Sequence, residues 1–334
     1  MRGGWRTLAA VILSALTALA GAQPPARAST LDDAQSLFDR GQYSQAADLL
    51  SAAIAKSPDQ PQFHYLLGRS YFEMADYSRS ITSLEKAVAL ANANSQYHDW
   101  LGKAYGLKAE ETQGIMFWVA LSYARKAHHE FEVAVQYDPT NLVAQRDLIQ
   151  YLTNAPAFAG GGEDKALAQI DALSKVDPRE ADLAHAQYWV YKKNFDEADK
   201  LYKTILSEKP KRVGVYLEVA EYFRDREDGA DMETAVEGAM KADPSDRRMS
   251  YYRGVADVLG KQRAAEAEQL LRNYLATMPQ NSEAPSLASA HVWLGRLFEQ
   301  ENRNTEAAQE YKAALGLDPH ERDARDGLRR VQKK

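Results

Sequence analysis

The sequence predicts an all-α solenoid, about eight helical hairpins stacked in a row and closed by a short polar helix. Three observations carry this. The 334 residues are rich in Ala, Leu, Glu, Lys, Gln and Arg, 45% hydrophobic and 26% charged, and Ala and straight-chain residues lose least freedom in a helix. Prolines punctuate the chain at 58, 139, 178, 210, 244, 279 and 319, several of them 32 to 35 residues apart, a spacing that marks a repeat array. Some twelve residues before most of these stops stands a small residue: Ala46, Ser80, Ala127, Ala166, Ala198 and Ala307.

The first 28 residues stand apart. "MRGGWR" is basic, "TLAAVILSALTALA" is apolar, and Ala20-Gly21-Ala22 and Ala26-Arg27-Ala28 follow. This is the pattern of a secretory signal peptide, with an uncleaved N-terminal anchor as the alternative. A periplasmic or secreted location is therefore expected, with no membrane span once the leader is removed. The chain has no cysteine, which removes disulfides, thiol catalysis and thiolate metal sites together. Residues 1–28 carry three Arg and no acid, so the remainder holds 38 basic and 47 acidic residues, a net of −9. A basic nucleic-acid footprint is absent.

The repeats follow over residues 29–319. The first contains "SQAADLL"; the second, "HYLLGRSYFEMADYSRSITSLEKAVAL", sets out Leu67-Gly68, Tyr71 and Ala87. "HDWLGKAY" opens the third with Leu101-Gly102 and Tyr105. The eighth, "HVWLGRLFEQENRNTEAAQEYKAALGLDP", carries Leu294-Gly295, Phe298, Ala307, Tyr311, Ala314 and Pro319. This register resembles the tetratricopeptide repeat, and the resemblance implies a right-handed superhelical solenoid of helix-turn-helix units that binds a protein or peptide partner. The physics agrees. Neither helix of a unit buries its apolar stripe alone, so stacking must supply a continuous core. Small residues such as Gly68 and Ala87 allow close helix approach, and proline stands where the second helix must stop. Residues 320–334, "HERDARDGLRRVQKK", read as a capping helix.

Departures from the register bear on function. Ser80 and Met232 replace the small residue, Asn92 stands where a proline is expected, and the seventh unit fits with a one-residue slip. The third unit is about 13 residues too long and the fourth about five, measured against the period, with insertions near 107–123 and 154–163. In "EETQGIMFWVALSYARK" the first helix should run from Ser95 through Glu111 and break at Gln113-Gly114. The second should run from Ile115 to Tyr137. A tip of Met116, Phe117 and Trp118 then projects beyond its neighbours. Both insertions fall between the helices of their units and so lie on one edge. Either Phe158 and the Ala-Pro turn cover that tip, or it stays partly bare and docks a partner.

Catalytic signals are weak. Glu110-Glu111 and Asp32-Asp33 are adjacent, which on a helix turns them about 100° apart. The histidines form no H-E-x-x-H, and His64, His98 and His291 share one repeat position. "AFAGGGEDKA" lacks the spacing of a phosphate loop and reads as an elongated turn. No catalytic residue, metal or cofactor is assigned. The groove offers better candidates: Gln62, Tyr65, Arg69 and Phe72 in the second unit, then Gln96, Asp99 and Lys103 in the third. Arg69 and Lys103 could grip a peptide carboxylate, or could be solvated or paired with Asp99. The expected function is a non-catalytic interaction scaffold or adaptor of the cell envelope. An enzyme or enzyme-regulatory subunit with a site in the groove or under the insertions, and a self-assembling structural protein, are the alternatives.

Overall fold

The structure is a computed structural model that describes residues 26–113, 116–278 and 284–333, and among these it is helical with no strand. Eight hairpins follow in order. They are α1 (Ala26–Asp39) with α2 (Tyr43–Lys56), α3 (Pro61–Glu73) with α4 (Tyr77–Leu90), and α5 (Ser95–Gln113) with α6 (Phe117–Tyr137). Next come α7 (Leu142–Asn154) with α8 (Glu163–Ser174), α9 (Pro178–Tyr191) with α10 (Phe195–Ser207), and α11 (Val213–Asp225) with α12 (Gly229–Ala242). The last are α13 (Met249–Leu259) with α14 (Ala264–Thr277) and α15 (Leu287–Gln300) with α16 (Asn304–Leu317), before α17 (Arg322–Val331). The leader-like segment lies outside the described residues except for Ala26, Arg27 and Ala28, which begin α1.

Each hairpin packs on the next, and first helices also touch first helices two elements away. That is the contact pattern of a one-dimensional stack. The small position of every unit points inward: Ala46, Ala127, Ala166, Ala198 and Ala307 are fully buried. Ser80, Met232 and, in the slipped seventh unit, Ala267 are equally buried. A Cβ built on Gly68 would lie 2.6 Å from Leu84 Cγ, so the second hairpin closes only because that position lacks a side chain.

Prolines play two roles. Second helices end two or three residues ahead of Pro58, Pro139, Pro210, Pro244 and Pro319. Pro178, which the period reads as a stop, instead opens α9 at its first position, where the missing N–H costs nothing. Asp177 before it accepts from the backbone N–H groups of Arg179 and Glu180. The histidine position has an explanation in the inter-unit turns. His64 Nε2 lies 2.7 Å from the Pro58 carbonyl, His98 Nε2 lies 2.7 Å from that of Asn92, and Gln145 Nε2 donates to Pro139 O at 2.9 Å. Each ties the start of a first helix to the turn before it, giving a turn carbonyl a partner.

The third hairpin is stretched. At 19 and 21 residues, α5 and α6 exceed the 13 of α3 and 14 of α4, an extension of about 10 Å per arm at the helical rise. Compared with the boundaries expected from sequence, α5 continues past Glu111 to Gln113 and α6 begins at Phe117 rather than Ile115. Gly114 and Ile115 lie outside the described residues. At the other end α17 lays Ala324 and Val331, both buried, onto the last hairpin. Gly327 meets the ring of Tyr311 so closely that a Cβ there would lie 2.3 Å from Cζ.

Candidate functional site

The first helices α3, α5 and α7 set the groove residues side by side. Arg69 places its guanidinium 4.6 Å from the ring centre of Phe38 and 4.5 Å from that of Trp100. Lys103 Nζ also lies over the Trp100 ring, 5.0 Å from its centre. Tyr65 stacks on Tyr97 with centroids 4.7 Å apart, and Phe72 meets Trp100 edge-on at 5.2 Å. Alternating rings and cations give a rigid wall, since each cation sits over the negative face of a ring. Gln62 and Gln96 are exposed at its rim.

Lys103 is committed within the protein. Its Nζ lies 2.8 Å from Asp99 and 2.8 Å from Asp147. Asp99 is only 2% exposed. Burial pushes its carboxyl up to about 7, against the pull of Lys103 and with the repulsion of Asp147 adding to the rise. Burial lowers the Lys103 ammonium, but the two carboxylates outweigh it and the net shift is upward. Asp99 Oδ1 is buried without a hydrogen-bond partner among the described residues. Two acids around one cation leave this cluster with a surplus negative charge once Asp99 is ionised.

The insertions meet beside it. Phe117 at the start of α6 and Phe158 in the 3-10 turn Ala157–Ala159 approach with centroids 5.8 Å apart. The turn is stapled down: Arg125 Nε and Nη2 both donate to the Phe158 carbonyl, at 3.1 and 3.0 Å. The Tyr151 hydroxyl lies 2.6 Å from the Ala124 carbonyl and 2.8 Å from that of Ala159, so its single proton serves one of them at a time. Two of the three glycines have a steric reason, and the third, Gly162, has φ +154°, a backbone that glycine adopts readily. Gly160 has φ +108° and faces His128, while a Cβ on Gly161 would fall 1.9 Å from the Ala155 carbonyl oxygen. "AFAGGGEDKA" is thus a tight turn between helices, and Glu163 and Asp164 occupy the first turn of α8, where acids suit the helix dipole.

Between the stretched hairpin, α7 and this turn opens a cleft of about 610 Å³. Phe72, Leu107, Phe117, Leu121, Tyr151 and Phe158 give it apolar walls, and Lys103, Asp147 and Glu110 give it charge. Glu110 is exposed and forms no ion pair among the described residues, whereas its neighbour Glu111 holds Lys108 at 2.7 Å. The tip is not covered. Trp118 is 77% exposed, with Met116 and Phe117 about half exposed and Phe158 likewise open. Trp118 borders a separate hollow with Arg125, Lys126 and His129.

The structure therefore gathers Phe72, Lys103 and Phe117 on one cleft. It sets Arg69, Tyr65 and Asp99 in the adjoining wall, Gln62 and Gln96 at the rim, and Met116 and Trp118 on the outer side of the tip. Asp147, Leu107 and Tyr151 escaped the sequence reading, and Glu110 was weighed there only as half of an adjacent acid pair. Continuing the groove stripe into the fourth unit would have reached residues 146–150 of α7, but the long third unit breaks the arithmetic of the period. Further along, Arg146 donates to Glu218 through both Nη atoms at 2.6 and 2.7 Å, and Glu180 accepts from Arg212. Charges there cancel between units.

Tetratricopeptide repeat family models match residues 37–104 and 257–322. No curated protein matches the chain. Among solved structures, a tetratricopeptide repeat protein of Thermus thermophilus is 20% identical, aligning 59% of this chain with 98% of that one at a TM-score of 0.47. The chain in the Cut9–Hcn1 structure is 14% identical, with 90% of this chain spanning 55% of that one at 0.50. The monomeric IFIT1 mutant solved with Gppp-AAAA is 15% identical, with 93% of this chain covering 75% of that one at 0.52. At these identities the likeness is one of fold.

Proposed function

Taking as premise that the chain is a tetratricopeptide repeat protein, we propose that it is a non-catalytic interaction scaffold of the cell envelope, holding a partner protein or peptide against its groove. The observation that carries this reading is the bare aromatic tip beside an apolar cleft, at the stretched third hairpin. Exposed apolar groups of this kind, on an insertion that projects from a rigid array, favour protein recognition. Most charges elsewhere along the first helices are paired in-house, which leaves them to set the shape of the array. The leader-like first 28 residues support export.

The test has two arms. Fractionation of a tagged full chain should find it in the envelope with its leader removed; an uncleaved cytoplasmic product overturns the location. Immobilised chain lacking residues 1–28 should retain a defined envelope protein that Trp118→Asp releases. Retention of nothing above a denatured control overturns the scaffold reading.

A further inference from the structure

We propose that the cleft between the stretched hairpin and the 155–162 turn takes a peptide segment carrying an apolar side chain close to a lysine or arginine. This deepens the scaffold reading and rests on it. Size comes first. A cleft of about 610 Å³ is within the range that seats a compact ligand, enough for one or two large side chains of a peptide. Its walls at Leu107, Phe117, Leu121 and Phe158 ask for an apolar one. They are also pre-set: the turn is held by Arg125 and Tyr151, so little ordering is needed on binding.

Charge then selects the neighbour. Asp147 and Glu110 line the cleft and Asp99 stands in the adjoining wall, with Lys103 as the one cation in the lining among the described residues, held by Asp99 and Asp147. Lys103 is held by two of these acids, and Glu110 is left at the rim with no ion pair among the described residues. An incoming cation adds to Glu110 and offsets the surplus at Asp147, whereas an incoming carboxylate meets a field of the wrong sign. The Arg69–Lys103 grip on a carboxylate is correspondingly disfavoured, since Lys103 would have to leave two acids to make it. Anionic lipid is disfavoured by the same surplus.

A phage-displayed library of random twelve-residue peptides, selected on the folded chain and counter-selected on Phe117→Asp, tests this. The expected result is enrichment of an aromatic or branched aliphatic residue within four positions of Lys or Arg. With one such synthetic peptide, Glu110→Gln should weaken binding about 3- to 5-fold, the worth of one exposed ion pair. Phe117→Ala should weaken it about 10-fold or more, as loss of an anchor does, and Phe117→Leu should restore most of it. Selection of acidic peptides, or of none that depend on Phe117, overturns the proposal. So does a concentration-dependent dimer abolished by Phe117→Asp, or a Trp118 fluorescence shift on phosphatidylcholine vesicles without peptide binding, which would assign the face to a second copy or to lipid. If the envelope partner is retained equally by Phe117→Asp while the peptides fail, the cleft assignment falls and the scaffold reading stands.

Discussion

Asp99 shows how a groove residue and its pairing with Lys103 can be legible in sequence while a second neighbour is not. Its spacing sets it on the groove stripe with Gln96 and Lys103, but only the fold brings Asp147 from the fourth unit onto the same ammonium. A carboxyl raised to about 7 by burial and a neighbouring acid binds its proton more tightly folded than unfolded. Its contribution is fully present below the unfolded value near 4 and is lost as pH rises through 7. His98, lifted above its ordinary value by Glu130 at 2.6 Å despite burial, runs in the same direction above about 6.5. Asp99→Asn should therefore flatten the fall in urea midpoint between pH 5 and pH 8 relative to the native chain. An unchanged slope would show that Asp99 titrates as an ordinary carboxyl.

At the scale of elements, the decisive feature is the pairing of two insertions. The stretched α5–α6 hairpin would project alone, but Arg125 and Tyr151 bind the 155–162 turn to it, and the Phe158 ring approaches that of Phe117. The turn supports the tip from one side and leaves Trp118 in water. Gly161→Ala places a methyl group 1.9 Å from the Ala155 oxygen, so the turn must open. We expect a loss of about 1–3 kcal/mol, with faster proteolysis near residue 158 and faster amide exchange in the first turns of α6. Stability equal to the native chain, with unaltered cleavage, would mean the turn has room the geometry denies.

For the whole molecule, the consequence of a one-dimensional stack is that stability is local. Each hairpin leans on its neighbours, and α17 closes the far end by covering Tyr311 with Gly327 and adding Ala324 and Val331 to the core. Truncation after Pro319 should fray α15 and α16 first in hydrogen exchange while α1 to α4 keep their protection. Uniform loss of protection from end to end would show a cooperative unit longer than nearest neighbours.

The number and order of hairpins were legible in the sequence because they depend on local signals. Apolar stripes, the small residue of each unit and the stops before Pro58, Pro139 and Pro319 act within one helix pair. Pro178 was misread as a stop because proline is tolerated both after a helix and at its first position, and only the course of the chain separates the two. The site was legible in part. Phe72, Lys103 and Phe117 could be named from stripe and insertion, since both are features of a single unit. Their meeting with Asp147, Tyr151 and Phe158, and the exposure of Trp118, depend on how far a long hairpin reaches across its neighbour. That distance is a property of packing between units, and tertiary structure alone decides it.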